Sequence, residues 1–184
     1  MKDEWAVVLD YLKHGHSGQS RSYAVAQVLG EEHFNLLEII PREDITLKSQ
    51  DRVYIGQGKR DDVKSIVGRI EPVKLTATAH NELSFALESL INKNEKKFID
   101  FFNNSGPITT KQHQLELLPG IGKKHMWQII EERKKQPFAN FEDLKKRVTL
   151  LPDPKKAIVK RIMDELEGTE KWYLFTSPPK KDEF

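Results

Sequence analysis

Residues 115–130 read LELLPGIGKKHMWQII, and this stretch decides the fold of the C-terminal half. Leu115 to Leu118 forms a short apolar helical stretch, Pro119 and Gly120 interrupt it, and Met126, Ile129 and Ile130 then recur at helical spacing. Two helical segments therefore meet at a tight reversal. Gly120 permits positive φ there, Ile121 fills the space between the segments, and Gly122 lets a ligand approach the backbone where the second helix starts. The first amides of that helix have no intrahelical acceptor and carry the positive end of its dipole, so they form an anion site to which Lys123 and Lys124 add charge.

The order Leu-Pro-Gly-hydrophobic-Gly, then Lys and a helix, resembles the helix-hairpin-helix motif, which grips nucleic-acid phosphates. Contacts of this kind position a backbone without reading bases. The resemblance also implies a monovalent cation on turn carbonyls, here those of Glu116, Leu118 and Ile121. A plain helix–helix turn with Gly120 as its C-cap is the simpler alternative, but it requires neither Gly122 nor the lysine pair.

The pattern returns, weakened, as Leu150, Leu151, Pro152, Asp153, Pro154, Lys155 and Lys156, followed by Ile158, Val159, Ile162, Met163 and Leu166 at helical spacing. Both glycines are gone. Asp153 brings negative charge and Pro154 deletes an amide donor, so this copy reads as a packing partner, with Lys155, Lys156, Lys160 and Arg161 as weaker outer contacts. Between the copies Asn140 is placed to cap a helix through Phe141, Leu144 and Val148, with Asp143 returning the bond.

Upstream the period changes. Trp5, Val7, Leu9 and Tyr11 alternate, as do Tyr23, Val25, Gln27 and Leu29; 33–40 closes at Pro41, 52–55 precedes Gly56, and 63–70 carries Gly68. Five short strands in so few residues indicate a small barrel, with a bulge or corner at Gly68. Leu83, Leu87, Leu90 and Ile91, then Phe98, Ile99, Phe101 and Phe102, mark two linking helices, and 103–107 is the clearest breaker run. The expected architecture is α+β multidomain: a five-stranded barrel of the oligonucleotide-binding/S1-like kind over 1–75, linking helices over 76–105, an all-α tandem helix-hairpin-helix domain over 106–170, and a flexible tail over 171–184.

The chain has 184 residues, no cysteine and a formal net charge of +2, so disulfides and thiolate metal sites are excluded and binding to a polyanion must come from local clustering. Residues 109–171 carry 14 basic against 10 acidic side chains, and residues 1–108 carry 14 against 16, which turns the C-terminal half toward the anion. No apolar run approaches the roughly 18 residues needed to cross a bilayer, and the start lacks the layout of a secretion signal. A cytoplasmic protein that does not engage membranes is expected.

No nucleophile elbow, phosphate-binding Walker loop, zinc spacing or carboxylate cluster appears, so no catalysis and no cofactor beyond the cation are expected. His14 and His16 lack a third ligand. Gly56 to Arg60 reads as a hairpin turn, although Arg21, Lys59 and Arg60 would extend a nucleic-acid surface onto the barrel. Tyr11, Tyr23, Phe34 and Tyr54 are candidates for base stacking.

The domain order, together with Ala6-Val7-Val8-Leu9-Asp10-Tyr11-Leu12, His14-Gly15-His16 and Leu36-Leu37-Glu38, resembles an archaeal family, domain of unknown function 655, over nearly the whole chain. That family is described as predicted RNA-binding with an S1-like barrel. The resemblance implies a non-catalytic RNA-binding protein holding the backbone through Gly120, Ile121, Gly122, Lys123 and Lys124, with Lys155 and Lys156 outside them; the residues alone favour neither RNA nor DNA. Two alternatives stand beside it. One is a DNA-junction or repair protein, although the bacterial four-way-junction family keeps glycines in both hairpins. The other is a protein-docking module in a transcription or ribosome-assembly complex, a reading kept open by the near-neutral charge.

Overall fold

A computed structural model describes residues 2–17 and 23–178. It divides into two compact units, one of 1–86 with 164–184 and one of 87–163. Arg21, considered above as a phosphate contact, and the end of the expected tail, 179–184, lie outside the described residues.

The first unit contains the five expected strands: β1 (Trp5–Leu12), β2 (Val25–Gly30), β3 (Leu36–Pro41), β4 (Arg52–Tyr54) and β5 (Val63–Arg69). They pair antiparallel in the order β4-β1-β2-β3-β5 as one curled sheet. It is a half-barrel, with β4 and β5 as its two edges. The bulge expected near Gly68 is present: Glu38 faces Gly68 and Ile39 faces Ile66, which leaves Val67 as the extra residue, half-exposed.

A second irregularity corrects the alternation read for β1. Val8 faces Val28 and Asp10 faces Gln27, so Leu9 is unmatched and the side-chain phase changes there. Ala6 and Val8, with Tyr11 beyond the irregularity, pack on the core formed by Ala26, Val28, Ile39, Val53 and Val63. Trp5, Val7, Leu9 and Tyr11 are therefore not one face. The pattern misled because β1 and β2 are apolar on both sides: Val7, Leu9, Val25 and Leu29 are buried too.

What covers the second face of β2 is visible in one side chain. Gln27 is fully buried, donates to the carbonyl of Lys74 at 3.0 Å and accepts the amide of Thr76 at 2.9 Å. The Thr76 hydroxyl then accepts the Ala79 amide and donates to Asp10, capping the start of α1 (Ala77–Lys93). The same unit fixes part of the stretch read as a tail. Glu165, 1% exposed, accepts the amides of Leu174, Phe175 and Thr176 at 2.7, 3.0 and 2.8 Å.

The second unit is built on α2 (Glu95–Asn104), α3 (Lys123–Lys135), α4 (Phe141–Arg147) and α5 (Pro154–Leu166). It is not all-α: a two-stranded ribbon, β6 (Pro107–Thr109) with β7 (Gln112–His113), precedes a single 3-10 turn at Gln114–Leu117. The breaker run at 103–107 lies within this unit, where Asn103 exchanges two hydrogen bonds with the backbone of Phe138 and Phe102 meets Phe141 edge-on. Asn140 caps α4 by accepting the Asp143 amide at 2.8 Å, and Asp143 returns a bond to Ala139 rather than to Asn140.

Replacing Gln27 with Leu keeps the volume but strands the Lys74 carbonyl and Thr76 amide. Urea unfolding is expected to show a loss of about 1–3 kcal/mol for each group left unpaired, whereas Lys64→Ala, which removes an exposed pair with Glu43, is expected to change stability by about 1 kcal/mol or less. Equal effects of the two variants would mean that Gln27 does not anchor the covering segment.

Candidate nucleic-acid interface

The first reversal is organised by His113 and Glu116. His113 Nδ1 accepts the Leu115 amide at 3.1 Å, and the Glu116 carboxylate accepts the His113 amide at 2.8 Å, a reciprocal cap on the 3-10 turn. Leu115, Leu118 and Ile121 are all buried, so Ile121 does fill the space inside the reversal. Its amide donates to the Leu118 carbonyl at 3.0 Å. Gly120 has φ +85°, and a Cβ there would also lie 3.3 Å from the ring of Pro152. The glycine thus serves both the turn and the contact with the second reversal.

Gly122 is different. Its φ is −89°, which any residue tolerates, and a Cβ built on it meets nothing within 4 Å. It caps α3 with no side chain, because it has none, and Lys123 and Lys124 on the first turn are exposed. The start of α3 therefore presents unshielded amides, an open approach and two cations side by side.

The second reversal has the same position in its hairpin and the opposite chemistry. Asp153 caps α5: its Oδ1 accepts the amides of Lys155 at 2.9 Å and Lys156 at 3.2 Å. A carboxylate of the chain itself already takes up the first amides of this helix. Lys155 reaches Asn92 at 2.7 Å and lies over the Phe141 ring, while Lys156 is exposed. The outer role expected of Arg161 is corrected, since it is 4% exposed and points its guanidinium at the Leu117 carbonyl. Asp-Pro at a helix start is a legible cap-and-first-turn signal, and it was the clue to the closed site.

The other arginines of this unit are also internal. Arg133 donates to the carbonyls of Phe102 and Ser105, at the end of α2, at 2.9 and 2.8 Å. Arg147 donates to those of Glu132 and Gln136, at the end of α3, at 2.5 and 2.7 Å, and stacks over Phe138. Nothing in the sequence marked these roles. Trp127, 57% exposed one turn beyond Lys123 and Lys124, was also not foreseen.

On the half-barrel, His16 Nε2 lies 2.6 Å from the Glu38 carboxylate, and among the described residues no group of three or more His, Asp or Glu side chains is placed to hold a metal ion. Lys59 pairs with Asp61. Of the aromatic residues considered for stacking, Phe34 is buried, Tyr11 and Tyr54 are partly buried, and Tyr23 is 42% exposed. Among the described residues no helix is long and apolar enough to cross a membrane.

A family model described as "Protein of unknown function (DUF655)" matches residues 2–177. The chain belongs to this family. A DUF655-like relative, "Uncharacterized protein MJ0038" of Methanocaldococcus jannaschii, is 41% identical over 175 residues, covering 94% of this chain and 79% of that protein. The crystal structure of Af1531 from Archaeoglobus fulgidus, also DUF655, superposes with a TM-score of 0.89 at 47% identity, covering 95% of this chain and all of that one.

Burial, and then the nearby positive charge of Arg133, hold the His113 imidazole below its ordinary value of 6.5, against a smaller opposing pull from Glu116. In acid the unfolded chain takes up this proton before the folded one does. Stability is therefore expected to fall as pH drops from 6.5 toward the lowered folded-state value and then to level off. His113→Asn keeps a capping oxygen but no titration; urea midpoints measured across this window should lose that slope in the variant, and an unchanged slope would assign it elsewhere.

Proposed function

We propose that this DUF655 protein is a non-catalytic nucleic-acid-binding protein that grips the phosphate backbone at the start of α3, with RNA ahead of DNA. The observation that carries the reading is the asymmetry between two equivalent helix starts, one capped by Asp153 and one left open at Gly122 beneath two exposed lysines. Such an arrangement suits the helix-hairpin-helix mode, in which amides and a helix dipole receive a phosphate. In that mode Ile121 is the wedge, Gly120 sets the turn, Lys123 and Lys124 neutralise charge, and Lys156 is a peripheral contact. The carbonyls of Glu116, Leu118 and Ile121 are the ligands for a monovalent cation that steadies the turn. RNA takes precedence only from the description of the resembled family as predicted RNA-binding, since the residues alone favour neither polymer.

The test uses the intact chain and one sequence as RNA and as DNA, followed by fluorescence anisotropy across a salt series. Micromolar binding that weakens as salt rises is expected, because displaced counterions drive phosphate binding. Preference for DNA would transfer the reading to a junction or repair protein, and binding to neither polymer would favour protein docking.

Gly122→Asp is the sharper probe. It gives α3 the cap that α5 already has, so the melting temperature should hold or rise, while loss of a charge-assisted contact weakens binding by about 1.5–3 kcal/mol, roughly 10- to 150-fold. Lys123→Ala should weaken binding less and lower the salt slope by about one unit. Parent-like affinity in Gly122→Asp would remove the start of α3 as the clamp.

A further inference from the structure

We propose that the cleft between the two edges of the half-barrel is a separate binding site for a nucleoside phosphate. The curled sheet brings its unpaired edges to one cavity of about 670 Å³, lined by Tyr54 and Ile55 on the β4 side and by Ile66 and Arg69 of β5. That volume lies within the roughly 300–1,000 Å³ typical of small-molecule sites, which combine an apolar floor with a few placed polar groups. Leu37, Ile55 and Ile66 supply the apolar surface. The Tyr54 ring forms a wall held from two directions. Its hydroxyl accepts the Gly58 amide at 3.2 Å, and Trp5 meets it edge-on at 5.1 Å. Gly56 is required for this, because a Cβ there would come within 2.4 Å of the Tyr54 hydroxyl.

The charge at the opening points to the ligand. Lys2, Arg60 and Arg69 line the same cavity. Arg60 is oriented by the Gly56 carbonyl at 2.8 Å, and Arg69 by the Asn35 side-chain oxygen. Both anchors are neutral. Of the two carboxylates on the lining, Asp3 and Glu4, Asp3 is already satisfied by the amides of Glu32 and His33 at 2.8 and 2.7 Å and by Asn35 at 2.5 Å. On the half-barrel Arg52 has a carboxylate partner in Glu31, Lys59 in Asp61 and Lys64 in Glu43. Among the described residues Arg60 and Arg69 have none. Two guanidinium groups on one lining, neither of them ion-paired among the described residues, suit a phosphate, which accepts forked hydrogen bonds. A cavity of this volume is larger than phosphate alone requires, and the aliphatic side chains with the Tyr54 ring offer apolar surface to a base. Glu4, also on the lining, offers an acceptor for ribose hydroxyls or an exocyclic amine. The same chemistry comes from a free nucleotide or from one unpaired nucleotide of a strand.

Calorimetric titration of the intact protein with AMP, with inorganic phosphate as control, tests this. AMP is expected to bind and phosphate to bind far more weakly. Arg60→Met and Arg69→Met should each weaken AMP by about tenfold or more, with Lys64→Met unchanged. Arg69→Met also removes the contact with Asn35, so Arg60→Met, whose guanidinium anchors only its own loop, gives the reading if the former melts early. A short oligoribonucleotide that displaces AMP identifies the strand as the source; failure to displace identifies the free nucleotide. Gly122→Asp should leave AMP affinity as in the parent, which separates this site from the clamp on α3. No heat and no displacement with AMP at millimolar concentration, or parent-like affinity in Arg60→Met, would overturn the proposal.

Discussion

Guanidinium groups donating to backbone carbonyls hold the helical unit together. A helix end buried against its neighbours leaves carbonyls without partners, and each unpaired one costs on the order of 1–3 kcal/mol. Arg133 satisfies the end of α2, Arg147 the end of α3, and Arg161 the 3-10 turn before the first reversal. Because these short helices pack through such contacts, the two reversals lie close enough for Gly120 to abut Pro152. A second effect follows from the first. With the arginines turned inward, the solvent-facing positive charge of this unit is carried by lysines, and the pair at the start of α3 stands beside amides that no side chain covers.

The half-barrel shows the same economy in a different material. Its central strands are apolar on both faces, so a segment must lie over the second face, and Gln27 is the polar group that holds that segment by its backbone. Leaving β4 and β5 unpaired with each other costs ladder hydrogen bonds and gains an opening. Open sheet edges invite aggregation unless they are short, bulged or charged. Here β4 is three residues long, β5 carries the Val67 irregularity, and Arg60 and Arg69 stand at the mouth.

The strands and helices were readable from local pattern: five apolar runs with turn residues between them, and two faces at helical spacing. The reversal at 118–122 was readable for the same reason, since Pro-Gly-Ile-Gly leaves few conformations open. The phase of β1 was not, because one unmatched residue at Leu9 shifts it and both faces are apolar. Nor was the ribbon at 107–113, whose strands are too short to show a period, or the bond network of Glu165, whose partners follow nine to eleven residues later.

The sequence by itself determined that two proline-containing reversals exist, that the first carries Gly120 and Gly122 with two lysines and that the second carries Asp-Pro in place of the glycines. It could not say which cations remain exposed, because an arginine that closes a helix end and one that meets solvent have the same letter. Tertiary structure decided that, and with it which helix start stays open. The physical reason is that hydrogen-bond satisfaction is settled between segments distant in the chain, whereas turn geometry is settled within a few residues of itself.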